Sequence, residues 1–229
     1  MKRIGILGGV SAESTATYYL TITREYIRRF GDTGYPEILI YSVSFAEYAA
    51  LQHAGRWEEL AAKMAEAFRA LAQAGAEFGL IAANTLHIVF DKVQALSPIP
   101  LLSIVEATAR AVRKAGLSRV GLLGTRFTME REFFRRGLSS FGIEVLVPPP
   151  EERELVHRVI YGELVRGEVR DGSRGELLQA IAGLSRRGAQ GVILGCTELP
   201  LLIRPEDVEL PLFDTARIHA LAALEEALG

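Results

Sequence analysis

Short continuous apolar runs recur along the chain, and between them lie longer segments whose apolar positions repeat every three to four residues. The short runs read as strands buried on both faces, as in a parallel sheet, and the longer segments as amphipathic helices. Strands are expected at 3–9, 36–43, 78–82, 98–102, 119–125, 143–147, 192–194 and 210–214. Helices are expected from Ser11 to about residue 30, in a short segment after Ser44, and over 56–74, stopped by Gly75. Further helices are expected over 103–115, stopped by Gly116, to about residue 140, through Val165, to Arg187, and over 215–228. Strands alternating with helices in this order specify an α/β fold.

The pattern restarts halfway. RIGILGG from Arg3 answers RVGLLGT from Arg119, FGLIAANT from Phe78 answers QGVILGCT from Gln190, and PIPLLSI answers ELPLFDT. A repeat of this kind predicts two similar α/β domains with mostly parallel sheets. The expected division is 1–102 with 211–229 as the first domain and 103–210 as the second. They would be related by a pseudo-two-fold axis, with the site in the cleft where strand ends face each other. When Ala83 is set on Cys196, one residue off that strict register, Asn84 aligns with Thr197 and Thr85 does not.

Cys196 is the only cysteine, so no intrachain disulfide framework exists. It follows the run Val192-Ile193-Leu194 and Gly195, which places the thiol at the carboxyl end of a strand, where open α/β sheets bind ligands. Backbone N–H groups of the following turn are expected to favour the thiolate over the free value of about 8.5. A buried structural cysteine is the alternative for a lone thiol. Glu198 stands two residues on, and a carboxylate beside a thiolate raises its pKa unless geometry separates them.

Composition narrows the partners. The net charge of −2 gives no field to attract nucleic acid. No apolar run approaches the ~18 residues of a membrane span, and residues 1–3 lead straight into a strand with no signal-peptide core, so a cytoplasmic protein is expected. GILGG lacks the third glycine of the dinucleotide fingerprint, and neither CxxC nor HExxH spacing occurs, so no cofactor and no metal are expected. Short polar residues at strand ends and helix starts, namely Ser11, Thr15, Asn84, Thr85, Thr125 and Thr197, suit the oxygens of a carboxylate, although helix capping alone would account for several.

GILGG followed by ESTATYY, the strand-end ANTLH, and LGCTELP with LPLFDT downstream resemble the aspartate/glutamate racemase superfamily of cofactor-independent racemases, over essentially the whole chain. The resemblance implies a thiol on each of two walls as acid or base. Here the second is intact as Cys196-Thr197-Glu198, whereas Ala83 occupies the first cysteine position. It also places Gln52 in a substrate-side loop and implies a homodimer. Arg166 and Arg170 are the candidates for holding a dicarboxylate side chain.

Racemisation requires proton removal from one face of the α-carbon and delivery to the other. Ala83 can do neither. Thr85 is a poor base near neutral pH, and His87 is the nearest titratable group. His87 has a structural alternative, hydrogen-bonded within the wall that presents Asn84 and Thr85. Glu198 would orient Thr197 or bind the substrate ammonium. The leading reading is therefore an enzyme acting on aspartate or glutamate with Cys196 as a single retained acid/base and Thr85 or His87 as its help, weak or one-sided because of Ala83. The alternatives are a cofactor-free decarboxylase or isomerase of a dicarboxylic acid, and a non-catalytic amino-acid or dicarboxylate binding protein.

Overall fold

The computed structural model describes residues 1–229. The first strand, β1 (Ile4–Gly8), is buried along its whole length, as a strand is only when both faces of its sheet are covered. There follow α1 (Ala12–Phe30), β2 (Ile38–Ser42), α2 (Phe45–His53), α3 (Trp57–Gln73), β3 (Phe78–Ile81), a 3₁₀ turn (Thr85–Val89), α4 (Phe90–Leu96) and β4 (Leu101–Leu102). The second half runs α5 (Ile104–Lys114), β5 (Arg119–Gly124), α6 (Arg126–Glu130), α7 (Glu132–Ser139), β6 (Glu144–Leu146), α8 (Pro150–Gly162), a 3₁₀ turn (Leu164–Arg166), α9 (Asp171–Arg186), β7 (Val192–Gly195), α10 (Leu199–Leu202), a 3₁₀ turn (Pro205–Asp207), β8 (Leu212–Asp214) and α11 (Thr215–Leu228).

All pairings are parallel, in two four-stranded sheets ordered β2-β1-β3-β4 and β6-β5-β7-β8. The two orders are the same, which is the structural form of the sequence repeat. In each, the chain steps from the first strand to one side and then returns to the other. That puts a switch point between β1 and β3, and again between β5 and β7, the place where an open parallel sheet leaves a crevice at its strand ends.

Met1–Ile104 with Ala216–Gly229 form one compact unit, and Val105–Thr215 form another. The chain therefore returns to the first unit after residue 215 rather than after 210. The reason is β8, which pairs with β7 (Ile193 opposite Phe213) and so belongs to the second sheet.

In the first unit, Ile4, Ile6, Phe78 and Leu80 pack on Tyr18 and Ile22 of α1 and on Ala220 and Leu224 of α11. The opposite face buries Leu7 and Ile81 against Leu60, Met64 and Phe68 of α3. In the second unit, Leu123, Val192 and Leu194 meet Val156 and Ile160 of α8 and Leu177, Ile181 and Leu184 of α9. The continuous helix expected to about residue 140 is broken at Arg131, which is extended. Met129 joins the cluster beneath α8, whereas Phe134 and Leu138 are buried outside it, and one straight helix would not serve both sites. No helix is long and apolar enough to cross a membrane.

Gly79 shows how closely helix and sheet approach: a Cβ there would lie 2.6 Å from the Phe68 ring and 2.9 Å from Leu101. Gly79→Ala is expected to cost about 1–3 kcal/mol through overpacking, measured as a lower urea midpoint at unchanged slope.

Candidate active site

The turn after β1 is built around Thr15. Its hydroxyl accepts from Gly9 N–H at 2.8 Å and donates to Ser11 O at 2.8 Å, while Gly9 takes φ 89°, which a residue with a side chain rarely adopts. Ser11 caps α1 by accepting from Ser14 N–H at 3.3 Å. Ser14 in turn donates to Ala82 O at 3.0 Å, tying the start of α1 to the end of β3. Ala83, Asn84 and Thr85 follow there, all buried. Ser11, Asn84 and Thr85 thus gather at the carboxyl edge of two adjacent strands, whereas both hydrogen-bonding roles of Thr15 are spent inside the turn. Gln52 is buried on α2.

His87 is fixed through both ring nitrogens. Nδ1 lies 2.8 Å from Ala83 O, and Nε2 accepts from Ile104 N–H at 3.1 Å, so one neutral tautomer satisfies both partners. Burial pushes its pKa down to about 4. Behind it, His219 Nδ1 lies 2.9 Å from Tyr18 Oη and Nε2 lies 2.9 Å from Leu102 O. Burial, and then the neighbouring His87, push His219 down to about 3. This is the structural alternative for His87: it clamps the segment bearing Asn84 and Thr85 and has no ring nitrogen left over to carry a proton to substrate.

In the second unit, β5 ends on Thr125, which caps α6 by accepting from Thr128 N–H at 3.3 Å. The adjacent strand β7 ends on Cys196, buried at 8% exposure. Its S–H donates to Glu198 Oε2 at 3.0 Å, and Thr197 donates to the same oxygen at 2.9 Å. Glu198 is itself only 4% exposed, so the thiol and its carboxylate neighbour share a dry environment. Geometry has not separated them, and the expected thiolate is not the resting form. Burial first, then the charge and hydrogen bond of Glu198, raise the thiol well above its ordinary value, against the backbone N–H groups of Glu198 and Thr197 that lower it. The expectation is corrected because the donors of one short turn are outweighed by desolvation and a carboxylate in contact.

Tyr161 on α8 had no sequence signal. It packs against the cluster that contains Cys196, and burial, then Cys196 and Glu198, push its hydroxyl up to about 12. Only the packing of α8 over β5 and β7 brings it there. The two candidate arginines both lie on the surface of the second unit. Arg170 is exposed and faces Glu168 at 2.5 Å and Glu163 at 3.9 Å, so its charge is already answered. Arg166 is exposed at the end of a 3₁₀ turn.

The family model described as Asp/Glu/hydantoin racemase matches residues 7–223. The chain belongs to the Asp/Glu/hydantoin racemase family. A crystal structure of a candidate Asp/Glu racemase from Yersinia pestis is similar at 42% identity and TM-score 0.94, with both chains covered in full. An aspartate racemase homologue from Pyrococcus horikoshii OT3 is similar at 41% identity and TM-score 0.87, again over both full chains. The broad specificity amino-acid racemase RacX of Bacillus subtilis (strain 168) is 24% identical over 231 residues, 99% of this chain and 98% of that protein.

Within this racemase-family chain the two strand ends are chemically unequal. The β7 end carries a thiol, a carboxylate and a hydroxyl in one hydrogen-bonded group. The β3 end carries the Ala83 methyl, packed in the apolar cluster with Leu86 and Val89.

Two outcomes follow. Glu198→Gln removes the neighbouring negative charge, so the thiol pKa falls and alkylation of Cys196 by iodoacetamide at neutral pH accelerates relative to wild type. For the histidines, the folded pKa values lie below the unfolded value, so the unfolded chain binds protons first. Stability is then complete above about pH 6.5 and falls toward pH 4 for His87 and pH 3 for His219. At pH 5 each histidine accounts for a loss on the order of 2 kcal/mol, measured by urea unfolding as a function of pH, with the pH-dependent loss smaller in His87→Gln.

Proposed function

We propose that this chain transfers the α-proton of aspartate or glutamate without a cofactor, as a racemase-type isomerase with Cys196 as its single retained acid/base. The observation that carries the reading is the Cys196–Glu198 pair at the carboxyl end of β7, a buried thiol donating to a buried carboxylate at 3.0 Å. The described activities of relatives, broad-specificity amino-acid racemisation in one and aspartate racemase homology in another, support an amino acid as substrate.

At rest the thiol is protonated; when the substrate ammonium, drawn to Glu198, offsets the carboxylate charge and lowers the thiol pKa, the thiol proton passes to solvent and leaves a thiolate. The thiolate takes the α-proton, and the electron pair left behind delocalises into the α-carboxylate as an enediolate. The thiol so reformed exchanges its proton with solvent and returns one to the carbanion. Thr125 and Thr197, at the strand ends of the same unit as Cys196, are the groups suited to holding that carboxylate.

The second acid/base that the family resemblance implies has no ready group at the end of β3. Ala83 has no proton to give, His87 is held by backbone on both sides, and the Thr85 hydroxyl is a weak acid and a weak base. Exchange of the α-proton should therefore outpace inversion. The protonated resting thiol also favours a second reading, in which the same group protonates the carbanion left by decarboxylation of a malonate-type dicarboxylic acid, a reaction that needs no opposing base.

Incubation with L- and D-aspartate and glutamate in deuterated water separates these readings. The expected result is α-deuteration, faster than inversion and lost in Cys196→Ala, with Ala83→Cys raising inversion. Full activity in Cys196→Ala would remove the mechanism. Carbon dioxide release from a malonate-type acid with no exchange on amino acids would select the second reading, and ligand binding with neither reaction would mean a binding protein.

A further inference from the structure

The sheet order β2-β1-β3-β4 sets β2 one strand beyond the crevice between β1 and β3, and its carboxyl end opens on a recess of its own. Tyr41, Ser42 and Ser44 reach it from β2 and the turn that follows, Tyr48 from α2, and Lys63 and Glu66 from α3, around a volume of about 270 Å³. Tyr48 is only 3% exposed, yet its hydroxyl has no hydrogen-bond partner in the protein and is not sealed in. The surface it retains faces the recess. Burial first, then Tyr41, Glu47 and Glu66, which line the recess with it, push that hydroxyl up to about 12, so it keeps its proton near neutral pH. A buried hydroxyl without a partner costs free energy until something supplies one.

Ser44 adds a second uncommitted hydroxyl: it stands at the amino-terminal end of α2 but makes no side-chain capping bond. Charge then selects the ligand. Lys63 is paired with Glu47 at 2.6 Å, and Glu66 has no ion pair of its own, so one lysine against two glutamates leaves the recess net negative. An anion would meet both carboxylates, and a neutral ligand would leave Glu66 unanswered. A bare metal ion would leave most of the volume empty. An alkylammonium meets every condition: its three N–H donors match carboxylate and hydroxyl acceptors, the faces of Tyr41 and Tyr48 attract a cation, and a tail of a few carbons takes up the remaining volume beside Val43. We infer that this recess binds a primary alkylammonium ion, with the Glu66 carboxylate and the hydroxyl oxygens of Tyr48 and Ser44 as its acceptors. The recess lies wholly in the first unit and Cys196 in the second, so binding there does not depend on the proton-transfer chemistry.

Titration of the isotope-labelled full chain with n-butylamine at neutral pH tests this, read by NMR on the backbone amides of Ser42, Val43, Ser44 and Tyr48. Saturable shifts at millimolar amine are expected, with n-butyrate and butanol causing none. Glu66→Gln and Tyr48→Phe should each weaken binding by about tenfold with far-UV circular dichroism unchanged, since neither removes a hydrogen bond made within the protein. Cys196→Ala should bind as the wild type does. Nα-acetyl-L-lysine amide carries the same ammonium on a peptide-like body and distinguishes the source. Binding as tight as that of butylamine assigns the recess to a lysine side chain of another protein, and weaker binding assigns it to a free amine. The inference is overturned if no shift saturates, if butyrate or butanol binds equally well, if both substitutions leave the affinity unchanged, or if binding is lost in Cys196→Ala.

Discussion

Parallel pairing of the first and third strands in each unit is the constraint on which the rest of the structure depends. Because β1 lies against β3 and β5 against β7, the two crossovers of each unit leave on opposite sides, and the carboxyl ends of neighbouring strands are left uncovered together. Two short polar segments arrive there in each unit: the Ser11 cap and Asn84-Thr85 in the first, the Thr125 cap and Cys196-Thr197-Glu198 in the second. The central strands β1, β3, β5 and β7 must be nearly all apolar to be buried on both faces, so chemistry is confined to the residues just past their ends. Close glycine contacts such as that of Gly79 on Phe68 hold helix and sheet at the distance this requires.

Burial then decides what those residues can do. At the end of β7 a thiol and a carboxylate share one dry site, and desolvation together with the contact charge keeps the proton on sulfur. At the end of β3 the equivalent position is a methyl, and the nearest imidazole is neutral and hydrogen-bonded to backbone through both nitrogens. The inequality of the two ends is therefore one of charge and proton inventory, with the backbone frame repeated between them.

Much of this was legible in the residues alone. The fully apolar runs forced parallel strands, the repeat of GILGG, ANT and GCT forced two like units, and Gly195 before Cys196 put the thiol at a strand end. These are local statements, governed by backbone sterics and by the period of the apolar positions. They are settled before any long-range contact forms. That residue 83, just past the end of β3, is an alanine was equally visible, because it is a matter of identity.

What only the tertiary structure decided depends on distances between segments remote in the chain, or on the loss of water around a group. Leu212–Asp214 joined the second sheet because β7 offered it an edge. Tyr161 joined the cluster that contains Cys196 because α8 packs against that sheet. His87 became a clamp because Ile104 supplies an N–H on one side and Ala83 a carbonyl on the other. The protonation of Cys196 could not be read from GCTE, since water would screen the same three side chains from one another if they were exposed. Burial removes that screening, and a sequence records which charges are adjacent but not how much solvent stands between them.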